Sequence, residues 1–293
     1  MASAPDMAGG NRGLIVLGAG SIPLASERAL RAFVVVAASG ERRALANNRY
    51  SADVVAIGDP APLAELPELR EDNALARWLE EIAGFRVDDM RGRWRLSVDL
   101  DSPLDVLLTG SALDRSIDAS AVHDRLDRVR AIARDRRAEL VVAGRTSATT
   151  LRWLERSTAS RTRALVEERG LKASALVAMA VSDRPVVPQT PRSALGLILD
   201  DRGPEALGGI LGQLGDSALV DSRVLLAHRL GTDERAWPSA EDRFASDLLL
   251  PDRIADPWLR ALTTSAREAP IPVLLGGHTL VGPGVRLALR SRA

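Results

Sequence analysis

Short apolar runs recur along this chain, each closed by glycine or a polar turn and followed by residues at helical spacing. Leu14–Leu17 ends at Gly18-Ala-Gly20, Asp53–Ile57 stops at Gly58-Asp-Pro60, and Glu139–Gly144 ends in glycine. Phe33–Ala37, Arg95–Asp99 and 270–277 read as further strands. Between them, 26–33, 72–83, 122–137, 149–155, 161–169, 195–199 and 204–214 carry helical patterns, with Asp72 or Asn73 and Gly170 as caps; 185–191 reads as an extended connection. Asp216 and Asp221 bracket Ala218–Val220 as if at the ends of a strand, although 218–227 fits either a strand or a helix. Strands alternating with helices predict an α/β fold, a mostly parallel sheet flanked by helices.

Composition narrows the function. With 39 basic and 39 acidic residues the formal charge is zero, so no long-range field favours nucleic acid or an anionic membrane. Cysteine is absent, which excludes thiolate metal sites and a cysteine nucleophile. Three histidines, His123, His228 and His278, argue against a multi-histidine zinc centre. Lys172 is the only lysine, so lysine-centred chemistry elsewhere is excluded. No apolar run reaches the roughly 18 residues of a membrane span. Residues 1–12 lack the pattern of a signal peptide and read as a disordered leader. The expectation is a cytoplasmic, soluble protein.

The segment from Leu14 to Pro23 runs from a strand through a glycine turn toward a helix, the arrangement that sets backbone N–H groups beside a phosphate. As a dinucleotide fingerprint it offers Gly18 and Gly20 but proline at the third glycine position, with Glu41 as the later acidic residue. That reading makes an NAD-dependent oxidoreductase. Val98-Asp-Leu-Asp-Ser-Pro-Leu-Asp105 points elsewhere: it resembles the late Asp-x-Asp-Thr-Pro-Glu-Asp-Leu signature of nucleotidyltransferases, the molybdenum-cofactor and 2-phospho-lactate guanylyltransferases above all. In those proteins an earlier strand ends in Gly-Asp-x-Pro-Leu, and Leu17–Leu24 looks like that strand with Ser21 in the aspartate's place. The resemblance covers about residues 13–110. It implies a nucleotide over Gly18, Gly20 and Ser21, catalytic Asp99 and Asp101, and Mg²⁺ on Asp99. Two departures accompany it. The family's nucleotide-binding glycine loop has no counterpart among residues 1–12, and serine is a poor ligand for a hard dication.

Three further places in the chain have ligand chemistry. Asn47, Asn48 and Arg49, beside the only tyrosine, offer fixed donors and acceptors. Arg145 and Thr146 open a helix after a strand, an anion site or an ordinary capped loop. His278 follows the last strand, where an acid–base group belongs. Asp101 also fits a helix cap before Pro103. The chain therefore reads as a leader (1–12), a divergent nucleotidyltransferase-like domain (13–112) and a second α/β domain (118–293). Its expected ligand is a nucleotide or phosphorylated small molecule, and a homo-oligomer or a partner supplying the missing half is allowed. The alternative is a non-catalytic scaffold.

Overall fold

A computed structural model describes residues 13–69, 74–168 and 190–290. The expected leader, the Asp72/Asn73 cap, the Gly170 cap and most of the 185–191 connection lie outside the described residues. The chain is α/β, and it forms two compact units that divide between Ser97 and Val98. The division falls ahead of the polar stretch 109–120, because Leu104 and Leu108 pack into the core of the second unit.

The first unit contains β1 (Leu14–Leu17), α1 (Glu27–Ala37), β2 (Arg43–Ala46), β3 (Val54–Ile57), α2 (Leu75–Glu81) and β4 (Arg86–Asp89). The sheet order is β1-β3-β2-β4. β3 runs antiparallel to both β1 and β2, while β2 and β4 are parallel, so the expectation of a mostly parallel sheet fails here. Both faces are covered. Ala29, Phe33 and Val36 of α1 pack on Leu45, Val54 and Ala56; Leu75, Ala76 and Leu79 of α2 pack on Ala44, Ala46, Val55 and Ile57. The alternation follows from the pleat, which sends successive side chains to opposite faces. It makes the interior strand read as a continuous apolar run.

Two expected elements of this unit differ. Phe33–Ala37 is the second half of α1, not a strand: Ser26 caps the helix, its Oγ accepting the Ala29 N–H at 3.3 Å. Ala29, Phe33, Val36 and Ala37 then recur at helical spacing, and burial of that stripe outweighs the β-branched preference of the valines. Phe33, 2% exposed, contributes about 1.5–3 kcal/mol through burial. Arg95–Asp99 is not a strand either; Trp94–Leu96 is a 3₁₀ turn that inserts buried Leu96 into the core beneath α1. β2 and β4 escape the apolar pattern because alanine, arginine and aspartate fill them.

The second unit contains α3 (Pro103–Leu108), α4 (Ser120–Ala133), β5 (Glu139–Gly144), α5 (Ala148–Ser157) and β6 (Arg161–Val166). There follow α6 (Ala194–Arg202), α7 (Leu207–Leu214), β7 (Ser217–Asp221), α8 (Ser222–Leu230), α9 (Ala240–Asp247), α10 (Pro257–Glu268), β8 (Val273–Gly276), α11 (His278–Val281) and α12 (Val285–Ala288). The order β6-β5-β7-β8 is parallel throughout. β5, β7 and β8 are almost wholly buried, in keeping with a parallel sheet flanked by helices. Residues 218–227 hold both candidates in turn, the end of β7 and then α8. Residues 161–166, expected as helix, form edge strand β6; its exposed arginines are the solvent side of an edge, which carries the same charges as a solvated helix face. Among the described residues no helix is long and apolar enough to cross a membrane.

Candidate functional site

The glycine turn after β1 is closed on itself. The Gly18 N–H donates to the Asp53 carbonyl at 2.9 Å, and the Ser21 N–H and Oγ both donate to the Gly18 carbonyl, at 3.2 and 2.5 Å. Gly20 has φ of 82° and Ile22 the positive φ of 47°, so the chain doubles back here before Ser26 starts the helix. Two of the backbone N–H groups here, those of Gly18 and Ser21, are thereby committed to carbonyls of the protein itself. Asn47 is also committed internally. Its Oδ1 accepts the N–H groups of Asp53 and Val54 (3.0 and 3.1 Å), and its Nδ2 donates to Asp53 Oδ2 and the Leu96 carbonyl (3.0 Å each). Asn48 accepts the Tyr50 N–H at 3.1 Å, and Arg49 pairs with Glu80 while lying over the Tyr50 ring. These residues hold the β2–β3 connection.

Another constellation lies at the carboxyl edge of the second sheet. From β5 the chain moves outward to β6, then returns past β5 to β7; strand order therefore reverses between β5 and β7. In open α/β sheets, ligands enter the crevice outside the carboxyl ends of the strands at such a switch point. Here β5 delivers Gly144-Arg145-Thr146, and β7 delivers Asp221-Ser222-Arg223. Arg145 grips Asp221 with two donors, Nε to Oδ2 at 2.6 Å and Nη2 to Oδ1 at 3.1 Å. Gly144 makes the approach possible. Its φ is 130°, and a Cβ there would lie 2.3 Å from the Asp221 Cβ. Burial alone would raise the Asp221 carboxyl, but Arg145 opposes it by charge and hydrogen bonds, with His278 and Arg223 assisting, and holds it below its usual range.

Thr146 Oγ1 is buried with no hydrogen-bond partner among the described residues. Ser147 caps α5, accepting the Thr150 N–H at 3.2 Å, whereas the N–H groups of Ala148 and Thr149 have no carbonyl to meet inside the helix. From β8, Gly277 leads into His278 at the start of α11, and Thr279 Oγ1 donates to the Asp99 carbonyl at 3.1 Å. The structure thus draws four residues marked in the sequence, Asp99, Arg145, Thr146 and His278, to the carboxyl end of one sheet. Asp101 is exposed and does not cap α3; Ser102 does, its Oγ accepting the Asp105 N–H at 3.4 Å.

Behind this edge lies a buried ionic cluster that the sequence reading missed. Arg223 holds Asp247 with two donors, Nη1 to Oδ1 at 2.5 Å and Nη2 to Oδ2 at 2.7 Å, and Nη1 also donates to Ser222 Oγ at 2.9 Å. Asp105 Oδ2 accepts from Ser102 Oγ (3.0 Å) and the Asp101 N–H (3.1 Å), while its Oδ1 is buried with no partner among the described residues. Burial, reinforced by the charge of Asp247, pushes the Asp105 carboxyl up to about 7, despite the Ser102 hydrogen bond. One arginine faces two interior carboxylates, and the carboxyl without a direct cation keeps its proton near neutrality. The available signal was the acidic residue closing each apolar run or helix, which marks an element's end but does not say which ends meet.

The Mg²⁺ that the nucleotidyltransferase resemblance implies does not fit the donors present. Ser21, in the place of the family's metal-holding aspartate, spends its hydroxyl on the Gly18 carbonyl. No group of three or more His, Cys, Asp or Glu side chains suited to a metal occurs among the described residues. A cleft of about 610 Å³ in the second unit lies apart from the switch point, beside the N-terminal half of α4, with Arg115, His123, Arg130 and Arg290 in its wall. It contains none of the residues just described, so chemistry favours the sheet edge. Comparison with protein-family models, with curated proteins and with solved structures finds no match for this chain.

Proposed function

We propose that the protein binds a phosphorylated small molecule, a nucleotide among the candidates, at the carboxyl ends of β5 and β7. The observation that carries this reading is an arginine fixed in place at the strand-order reversal. Asp221 occupies Nε and Nη2 of Arg145, which leaves Nη1 to meet a phosphate oxygen without the side chain having to be ordered first. Thr146 Oγ1 supplies a second donor, and the first-turn amides of α5 supply others. His278, close enough to Asp221 to lower its carboxyl, adds a group able to hold or deliver a proton. Group transfer on the bound phosphate is the activity that the Val98–Asp105 resemblance implies; ligand binding is the part that the switch-point geometry supports.

Isothermal titration with inorganic phosphate, GTP, CTP and NAD, each with and without Mg²⁺, tests this. At least one phosphorylated ligand is expected to bind, and Thr146→Val to weaken it by about 3- to 10-fold, the loss of one hydrogen bond. Arg145→Lys, which cannot hold Asp221 and a phosphate at once, weakens it further. No heat from any of the four ligands, or binding indifferent to both substitutions, overturns the proposal.

A further inference from the structure

The cleft beside α4 has a chemistry of its own. Its floor is hydrocarbon: Leu107, Leu113, Ile117 and Leu287 line it, each packed against the core of the second unit yet only partly buried. α4 brings His123, Leu126 and Arg130 to it, residues three and four apart and so on one stripe of the helix. The connection between α3 and α4 supplies most of the rest. Charge in the wall is one-sided. Among the lining residues, Arg115, Arg130 and Arg290 outnumber one carboxylate, Asp114, whose Oδ1 already accepts from the Ser116 N–H (2.8 Å) and Oγ (2.7 Å). Arg130 is fixed in direction: Nε donates to the Ala288 carbonyl at 2.9 Å and Nη1 to Asp127 at 2.7 Å, which leaves Nη2. Burial and the charge of Arg290 lower the neighbouring Arg286 guanidinium, so positive charge is concentrated at this end of the cleft.

We propose that this cleft binds a small amphiphilic acid, with its carboxylate at the arginine wall and its hydrocarbon chain on the apolar floor. A volume of about 610 Å³ suits a small organic molecule. An inorganic anion would leave the floor wetted, and an uncharged hydrocarbon would add nothing to balance the charge of the wall. A carboxylate on an apolar chain answers both, since guanidinium forks match a carboxylate and burial of the chain removes hydrocarbon from water. The cleft shares no residue with the switch point of β5 and β7, so this inference is independent of the phosphate reading.

Octanoate, with 1-octanol as the uncharged control, tests the proposal on the whole chain. The three histidines make the readout specific: His123 lines the cleft, whereas His278 belongs to the switch point and His228 is buried elsewhere. At constant pH, octanoate is expected to shift the imidazole NMR signals of His123 saturably and to leave those of His228 and His278 in place. Decanoate, two methylenes longer, should bind about 10- to 15-fold more tightly, at roughly 4-fold per buried methylene. 1-Octanol should bind at least about 10-fold more weakly than octanoate. Arg115→Glu, at an exposed position, should weaken octanoate by about 10-fold or more with the circular dichroism retained. No saturable shift of His123, equal shifts of all three histidines, 1-octanol binding as tightly as octanoate, or affinity indifferent to Arg115→Glu overturns the inference.

Discussion

Replacing Asp105 with asparagine should stabilise the second unit in alkali and leave it nearly unchanged in acid. Asp105 is 1% exposed, and its carboxyl titrates at about 7 instead of 3.8 because burial and the neighbouring Asp247 disfavour the charge. For an acid whose folded pKa is raised, the unfolded chain releases its proton first. Stability therefore falls as pH rises from about 4 to about 7, and levels off above that window. At ~1.4 kcal/mol per pH unit, the interval from 3.8 to about 7 sets a ceiling of about 4 kcal/mol. Asparagine resembles the protonated carboxyl: its oxygen can still accept from Ser102 and the Asp101 N–H, and it has no proton to lose. The variant-minus-native difference isolates Asp105 from Asp247, which burial also raises and which both proteins share. Hydrogen exchange at the β5 and β8 amides, read by mass spectrometry and corrected for intrinsic rates, gives the opening free energy at about pH 4 and about pH 8.5. The expected difference is within about 1 kcal/mol at the lower pH and about 2–4 kcal/mol in favour of the variant at the higher. A difference independent of pH, or a variant weaker in alkali, would refute the assignment of a neutral buried carboxyl.

Gly144→Ala combines positive φ with a clash against the Asp221 Cβ; a loss of about 2–4 kcal/mol and of phosphate binding is expected, checked by thermal melting and titration. Asn47→Ala leaves the N–H groups of Asp53 and Val54 without their acceptor, at a cost of about 2–4 kcal/mol to the first unit, and a urea midpoint within error of the native protein would contradict it. Gly196→Ala drives a methyl to 2.6 Å from the His228 ring, whose Nδ1 accepts the Ser193 N–H at 3.0 Å. The imidazole NMR signals of His228 should shift, and the unit should lose about 1–3 kcal/mol. Leu79→Ala, at a fully buried position, should cost about 2–5 kcal/mol by calorimetry, through the cavity left in the core that α2 shares with Ala44 and Ala46.

The α/β class was legible because β5, β7 and β8 are buried on both faces and so appear as apolar runs. The same rule hides β2, where alanines admit α2 closely, and it misleads at Phe33–Ala37, where a capped helix carries β-branched residues. Of the site, Arg145, Thr146, Asp99 and His278 could be named because each follows or closes an apolar run. The pairing of Arg145 with Asp221, and of Arg223 with Asp247, was not legible, since strand order decides which ends are neighbours. The turn at Gly18–Ser21 shows a further limit of composition. Its composition does not reveal that the Gly18 N–H is spent on the Asp53 carbonyl and the Ser21 N–H on the Gly18 carbonyl.

The two sheets also differ in how their strands must find one another. In the first, β2 and β3 are joined by a short connection that Asn47 ties at its mouth, so their antiparallel pairing closes a small loop and can precede the rest. In the second, Leu140 pairs with Ser217 and Ala218 with Val273, parallel contacts reached only through long crossovers. Contacts so distant along the chain make folding slow at equal stability. Residues 43–57 should therefore gain protection early in refolding, and the Arg145–Asp221 contact, which needs β5 and β7 side by side, should be among the last interactions to form.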